Sequence, residues 1–279
     1  MKKSNKIFKV IVIFFLVFLY APALLLPIFS FNNSKVISFP LSGFSTIWFE
    51  ELLYESTLHN ALFNSLLIAI SSTILATILG TLVARASTRY IFYGKKISIT
   101  FILVPLILPE IILGVCLLTV LIQLGLDLNL WSVVLGHTLL ITPFSTLIMV
   151  SAFNNLDISL EEASLDLGMS SFQTVRIIIL PMVSPGLISS LLIGFVISLD
   201  EVIIAFFLTG VEPTLPVYIW SQFRFPAKLP STMALGTILL IVSLILVSLF
   251  EYFRRRMELY NYYSVGLDQK RTKKILEIL

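Results

Sequence analysis

Six long apolar segments constrain the fold of this chain more than any other feature of its sequence. A helix needs about 20 apolar residues to cross the hydrocarbon core of a bilayer. Only 13% of the residues are charged, against about a quarter in soluble domains. We therefore predict an all-α membrane protein with six transmembrane helices. The six predicted spans are approximately residues 7–29, 61–84, 97–124, 131–153, 182–208 and 233–253.

The basic residues predict the orientation of these spans. If the N-terminus is cytoplasmic, all but three of the 19 Lys and Arg residues fall in cytoplasmic segments, the exceptions being Lys35, Arg224 and Lys228. Such an excess of positive charge is typical of the cytoplasmic side. We expect both termini in the cytoplasm, a transmembrane domain over residues 1–256, and a basic tail over residues 257–279 that can contact anionic lipid.

The first apolar segment follows several lysines, so a cleaved signal peptide is an alternative for this region. Ala21-Pro22-Ala23 could serve as the cleavage site. The apolar run continues through Leu24–Phe29 and is too long for a signal core. We expect an uncleaved first span.

A polar loop (Asp157–Pro181) connects the fourth and fifth predicted spans. Two of its four-residue patterns are typical of capping boxes at helix N-termini. Glycine tolerates the left-handed backbone that often ends a helix, and proline breaks a helix when it lies in the interior. We predict two short helices that are joined at Gly168 and end near Pro181. The two capping patterns are Ser159-x-x-Glu162 and Ser170-x-x-Gln173.

The charge of the polar loop indicates what it contacts. Arg176 is its one basic residue, and it has four acidic residues, Asp157, Glu161, Glu162 and Asp166. An acidic segment is repelled by anionic lipid, which favours a protein partner over a helix lying on the membrane surface. The surface helix remains the alternative.

Three acidic residues lie within the third and fifth predicted spans. Glu110 is near the middle of the third span, and Asp200 and Glu201 are toward the outer end of the fifth. An ionised carboxylate at the bilayer centre costs about 2.5–3.5 kcal/mol even on the more lenient insertion scale. These residues therefore predict a cation pathway. The alternative is that Asp200 and Glu201 are solvated at the outer interface.

Several function classes find no support in the sequence. The chain has no nucleotide-binding P-loop, because Arg89 stands where the first glycine before Gly94-Lys95 would be. One cysteine and two histidines do not form a metal-site pattern, and the net charge of +3 is too small to indicate nucleic-acid binding. We expect neither catalytic nor metal-binding residues, and no enzymatic activity by the chain itself.

The polar loop resembles the EAA motif of type I ABC importer permeases. Glu162-Ala163-Ser164, Gly168 and Ile178-x-Leu180-Pro181 match its spacing, with Ser164 in place of the motif's second alanine. The resemblance implies a MetI-like permease fold. It also implies that these seven motif residues couple the chain to a dimer of separate ATPase subunits, which would bind the ATP and Mg²⁺ that this chain does not.

Other segments are similar to spermidine/putrescine permeases of the PotC-like type. They are Pro109–Ile112, Leu199–Ile203 and Phe207–Gly210. This similarity implies import of a polyamine across the bacterial inner membrane, with Asp200, Glu201 and Glu110 along the substrate pathway. It further implies a second, PotB-like permease subunit and an external polyamine-binding protein as partners, besides membrane lipid.

Three alternatives remain at this point. Related permeases carry other small organic solutes, so the substrate is less constrained than the family. A stand-alone channel or secondary carrier would need no ATPase, which the EAA-like loop disfavours. A membrane-embedded enzyme would need polar catalytic groups clustered near one membrane face, and His59 and His137 do not supply them.

Overall fold

The computed structural model describes residues 4–245 and residue 248, and regular structure in those residues is helical apart from an isolated antiparallel bridge between Asn32 and Phe44. The helices are α1 (Ser4–Ser30), α2 (Ile47–Leu53), α3 (Ser56–Arg89), α4 (Lys95–Leu103), α5 (Glu110–Gln123), α6 (Leu130–Asn154), α7 (Ile158–Asp166), α8 (Ser171–Thr174), α9 (Leu180–Asp200), α10 (Ile203–Leu208), α11 (Leu215–Gln222) and α12 (Pro226–Ile245, which begins with a 3₁₀ turn).

The predicted all-α membrane fold is confirmed. Five helical segments are long and apolar enough to cross a membrane, and α4 with α5 forms a sixth when counted as one bent pair. The five are Phe8–Ser30, Ser56–Arg89, Leu130–Asn154, Ser171–Asp200 and Pro226–Ile245. The predicted tail at residues 257–279 lies outside the described residues, as does most of 246–253.

Two predicted spans are interrupted in the structure. In the third, α4 and α5 meet at an angle of 106°, because Pro105 and Pro109 lack the N–H groups that a continuous helix requires. In the fifth, α9 ends at Asp200 and α10 begins at Ile203. The predicted spans over 97–124 and 182–208 therefore each consist of two α-helices.

The described residues form two compact units. Unit 1 contains the residues up to His59 and those from Tyr218 to 245, and unit 2 contains Asn60–Val217. In unit 1, the indole N–H of the buried Trp48 donates to the carbonyl of Asn32 at 2.6 Å, and the Asn32 side chain accepts from the backbone N–H of Ser42. These bonds order the segment between α1 and α2.

Unit 2 is built around α6. This helix has the most buried apolar window of the candidate spans among the described residues, and it packs against α5, α9 and α10. It also lies close to α3, since a Cβ added at Gly80 would be 2.6 Å from the Cβ of Ser145. Small residues allow such close approach between membrane helices, where packing rather than hydrophobic burial drives association.

A second core of unit 2 lies at the end that carries the polar loop. This loop-end cluster contains Ala84, Met149, Phe153, Leu156, Ile179 and Val183. Its members come from α3, α6, the turn that follows α6 (Leu156), the polar loop and α9. The polar loop is therefore anchored to the same apolar core as three membrane helices.

Candidate functional site

The first helix of the polar loop, α7, begins at a different residue from the one predicted. Asp157 is its N-cap, and the Asp157 side chain accepts from the backbone N–H of Ser159 at 3.0 Å. The predicted capping box of Ser159 with Glu162 was therefore wrong: Ser159 is already helical, and its own N–H is the donor that needs a partner. Hydrogen bonds from Ser159 hold the pKa of Asp157 below its ordinary value.

The predicted turn at Gly168 is confirmed. Gly168 has φ +86°, a left-handed conformation that residues with a Cβ rarely adopt. The N–H of Met169 donates to the carbonyl of Ser164 at 3.1 Å, and the N–H of Gly168 donates to that of Leu165 at 2.9 Å. This pair of bonds is a Schellman motif, which satisfies the last carbonyls of α7.

The second capping box is also confirmed. Ser170 accepts from the backbone N–H of Gln173 at 3.3 Å, and the Gln173 side chain accepts from the N–H of Ser170 at 2.8 Å. The helix α8 that follows has only four residues and passes into a π-helical segment, Val175–Ile179.

Pro181 does not end the second loop helix, contrary to the prediction. The π-helical segment leads directly into α9, where Pro181 occupies the first turn. A proline in an α-helix would clash with the carbonyl four residues earlier, which here belongs to Ile177 in the π-helical segment. The wider π turn, with its i→i+5 bonds, accommodates that proline and makes the loop continuous with the fifth span.

Ser164, the one departure from the EAA pattern, forms a bond that alanine could not. Its Oγ lies 2.8 Å from Oγ1 of Thr174 and 2.8 Å from the carbonyl oxygen of Glu161, and Oγ1 of Thr174 is also within hydrogen-bond distance of the carbonyl of Ser170. Because each hydroxyl has one proton, one of the two donates to the other and the second donates to its nearby backbone carbonyl. Both hydroxyls are buried. This pair therefore joins α7 to α8 inside the loop.

Arg89, the last residue of α3, connects the loop to the membrane helices. Its Nε donates to Oε1 of Glu161 at 2.6 Å. A terminal nitrogen of the same guanidinium donates to the carbonyls of Phe153 and Leu156, each at 3.0 Å. Arg89 thus contacts α7, the C-terminal end of α6 and the segment between them.

The remaining EAA-like residues lie mostly on the surface. Glu162, Ala163, Gly168, Leu180 and Pro181 are exposed, and Ile178 is half-buried. Large apolar side chains accompany them, with Leu167 85% and Phe172 73% exposed. Exposed apolar groups grouped with polar ones are typical of an interaction surface.

Two of the three acidic residues, Glu110 and Glu201, lie where α5 and α10 begin. Glu201 is buried and accepts from the backbone N–H of Ile204 at 2.7 Å, so it caps the first turn of α10. Glu110 is the first residue of α5 and is exposed, as is Asp200 at the end of α9. Carboxylates are favoured at helix N-termini by the free N–H groups and the helix dipole.

The structure brings Glu110 and Glu201 together. Glu110 lies one turn before Gly114 on α5, and Glu201 caps the first turn of α10. Their helices α5 and α10 pack side by side, and a Cβ added at Gly114 would be 2.7 Å from the ring of Phe207. Asp200 precedes Glu201 directly, so the three predicted pathway residues form one acidic region at the breaks of two spans.

A buried polar chain lies one helical turn before this acidic region. Nδ1 of His137 is 2.7 Å from Oγ of Ser198, which is 3.2 Å from Oγ of Ser72. The chain links α6, α9 and α3. His137 is therefore a hydrogen-bonding group of the core.

Sequence reasoning did not identify Arg89, Thr174 or the π-helical segment as parts of the site. In the sequence, Arg89 contributes to the positive-inside pattern and occupies the position of a P-loop glycine, and neither feature predicts a contact with the polar loop. Its position at the end of an apolar run was a usable signal, since cations are favoured at helix C-termini. No local pattern revealed Thr174, because its bond to Ser164 depends on how α7 packs on α8.

The family model of the binding-protein-dependent transport system inner membrane component matches residues 76–259. This stretch includes the polar loop and the acidic region. The chain belongs to this family. It is therefore a permease subunit located in the inner membrane, and the family resemblance predicted from the EAA-like loop is confirmed. Subunits of this class are not themselves enzymes.

Two curated relatives are similar over most of their length. The spermidine/putrescine transport system permease protein PotC of Haemophilus influenzae is 36% identical over 86% of this chain and 93% of its own. The putrescine transport system permease protein PotI of Escherichia coli K12 is 35% identical over 80% and 82%.

A solved structure shares the fold. It is the crystal structure of a bacterial ABC transporter involved in the import of the acidic polysaccharide alginate. Its matching chain has a TM-score of 0.70 and 19% identity, with coverage of 91% of this chain and 96% of that one. At this identity the likeness supports the MetI-like permease fold alone.

Proposed function

We propose that this chain is a permease subunit of an ATP-driven importer for a polyamine such as spermidine or putrescine. The observation that carries the proposal is the acidic region formed by Glu110, Asp200 and Glu201, in a chain similar to named polyamine permeases over most of its length.

The chemistry of the acidic region suits a polyamine. An ammonium group is desolvated at low cost only when carboxylates or other acceptors replace its water. Glu110 and Asp200 are exposed and neither forms an ion pair among residues 4–245. They are available to a cationic solute. The side chain of Glu201 accepts from the N–H of Ile204, so its main contribution is to fix the helix break.

The polar loop is the proposed connection to the ATPase. Its outer surface carries Glu162, Ala163, Leu167 and Phe172, all exposed, which suits insertion of an amphipathic helix into a partner's groove. Closure of two ATPase subunits on ATP and Mg²⁺ would move the loop. The π-helical segment would pass that motion into α9, whose far end is Asp200.

The remaining partners follow from this role. An external binding protein would deliver the polyamine, and a second permease subunit would complete the pathway. The exposed apolar surfaces of α1 and α5 would contact lipid or that subunit. ATP and Mg²⁺ would bind to the ATPase subunits, because this chain has no P-loop.

Reconstitution tests the proposal. The complex that co-purifies with the tagged chain is placed in proteoliposomes with its binding protein, and uptake of labelled spermidine and putrescine is measured with and without ATP. We expect ATP-dependent uptake that unlabelled polyamines inhibit and non-cationic solutes of similar size do not. Uptake inhibited equally by a neutral solute would favour the alternative, an importer of another small organic molecule. Absence of any co-purified ATPase would refute the importer itself.

A further inference from the structure

We propose that Arg89 is the positioning residue that couples motion of the polar loop to the membrane helices α3 and α6. This inference rests on the proposed role of the loop and assigns the transmission step to one ion pair, Arg89 with Glu161. The connection through α9 is covalent, because the loop continues into that helix. A separate link is needed if α3 and α6 are to follow the same displacement.

The guanidinium of Arg89 uses its planar shape to hold three groups at once. Nε donates to Glu161, and a terminal nitrogen donates to the carbonyls of Phe153 and Leu156. A lysine carries one ammonium and lacks this fixed fork. The three bonds therefore fix the distance and orientation of α7 relative to the end of α6, and α3 contributes the arginine itself.

The pair is shielded from water. The side chains of Arg89 and Glu161 are 9% and 13% exposed, and the guanidinium lies 5.8 Å from the centre of the Phe153 ring. Phe153 belongs to the loop-end cluster and is buried. Charges that are withdrawn from solvent attract each other more strongly and are less screened by salt. We therefore expect the Arg89–Glu161 ion pair to stay formed when the polar loop moves.

The two adjacent glutamates of α7 have different surroundings. Glu161 turns inward to Arg89, whereas Glu162 is exposed on the surface proposed for the ATPase. Among residues 4–245, Arg89–Glu161 is also the one ion pair found within unit 2. Displacement applied at the exposed face of α7 thus reaches α3 and α6 through the opposite face of the same helix.

Substitutions of graded severity test this assignment in the reconstituted complex. The variants are Arg89→Gln, Arg89→Lys, Glu161→Ala and Glu161→Gln, with Arg85→Gln as the matched control. Arg85 is one turn earlier on α3, and its side chain forms no hydrogen bond or ion pair within the described residues. Three quantities are measured: ATPase subunits bound per permease, ATP hydrolysed per complex, and substrate taken up per ATP hydrolysed.

We expect uptake per ATP to fall by about tenfold in Arg89→Gln, within the range typical of coupling between sites, while ATPase subunits stay bound and hydrolyse ATP. Arg89→Lys and Glu161→Ala should resemble it. Glu161→Gln should lose less, because the amide oxygen still accepts a hydrogen bond. Arg85→Gln should match the wild type.

The outcomes separate this inference from the proposed function. If the Arg89 variants lose bound ATPase and uptake in proportion, with uptake per ATP unchanged, the residue is structural and the inference fails. Unchanged uptake in all four variants also overturns it. If the wild-type complex binds no ATPase or takes up no polyamine, the proposed function fails instead.

Discussion

The polar loop and the acidic region both interrupt helices, but their polar groups are satisfied in opposite ways. In the loop, the caps, the Schellman turn, the pair Ser164–Thr174 and the Arg89 bridge leave the interior polar groups partnered within the chain. In the acidic region, Glu201 has a backbone partner whereas Glu110 and Asp200 are exposed. The contrast indicates that the loop holds one shape for a protein partner, and that the acidic region keeps charge available for a mobile cation.

The largest effect is expected from Gly168→Pro, which disrupts the turn between the two helices of the polar loop. Proline fixes φ near −65°, whereas Gly168 has φ +86°, and it also removes the N–H that donates to Leu165. We predict that the chain still inserts in the membrane and that ATP-dependent uptake is abolished.

The matched control for Gly168→Pro is Gly125→Pro. Gly125 has φ +68° and the same Schellman bonds at the end of α5, so the local damage is equivalent. Gly125 lies outside the polar loop, so its substitution leaves the proposed ATPase-binding surface unchanged. Comparable loss of uptake in the two variants would show that general misfolding, rather than the loop, limits transport.

Glu201 provides a smaller test on the acidic side. Replacing it by leucine leaves the N–H of Ile204 without its acceptor, which should destabilise the protein by about 1–3 kcal/mol. Glu201→Gln keeps an acceptor oxygen and should be nearer the wild type in stability. Thermal unfolding in detergent measures both variants. Equal stability of the leucine and glutamine variants would mean that Glu201 does not cap α10.

The sequence predicted the turn and one of the helix caps of the polar loop, but not the contact between the loop and α3. Local signals sufficed for Gly168 and for the Ser170–Gln173 box, because each depends on residues at most five positions apart. The N-cap was displaced to Asp157, since an aspartate two residues earlier competes for the same donor. Nothing local could place Arg89 beside Glu161, which is 72 residues away.

The same limit applies to the acidic region. Pro105 and Pro109 predict a break in the third span, and the break occurs there. The break after Asp200 has no proline or glycine at that point, and it is stabilised by the Glu201 cap instead. The proximity of Glu110 to Glu201 depends on the packing of α5 against α10, which no periodicity in either segment encodes.

The hydrogen bond between Ser164 and Thr174 tests whether the interior polar groups of the loop stabilise it. Ser164→Ala restores the residue of the EAA pattern and should cost about 1 kcal/mol through the lost hydroxyl bond. Thr174→Val should cost a similar amount. In a double-mutant cycle the combined variant should lose less than the sum of the two. Strict additivity in thermal unfolding would show that the two hydroxyls do not interact.

The smallest predicted effect concerns pH. Because hydrogen bonds from Ser159 lower the pKa of Asp157 in the folded loop, the cap contributes fully above the ordinary value of 3.8. That contribution is lost as the pH falls through the lowered, folded-state pKa. Protection of the Ser159 amide against hydrogen exchange, measured relative to an unstructured amide at the same pH, should fall over this acidic window. In Asp157→Asn this loss of protection should be absent; an identical pH profile of protection in the two proteins would contradict the cap.

The central claim, that the loop binds the ATPase and the acidic region handles the cation, is tested most directly by one paired measurement. Bound ATPase subunits and polyamine uptake are quantified together for Asp200→Asn combined with Glu201→Gln. Both changes keep the size of the side chains and, at Glu201, an acceptor for Ile204. The account predicts a full complement of ATPase subunits and strongly reduced uptake. Wild-type uptake, or loss of the ATPase together with uptake, would contradict it.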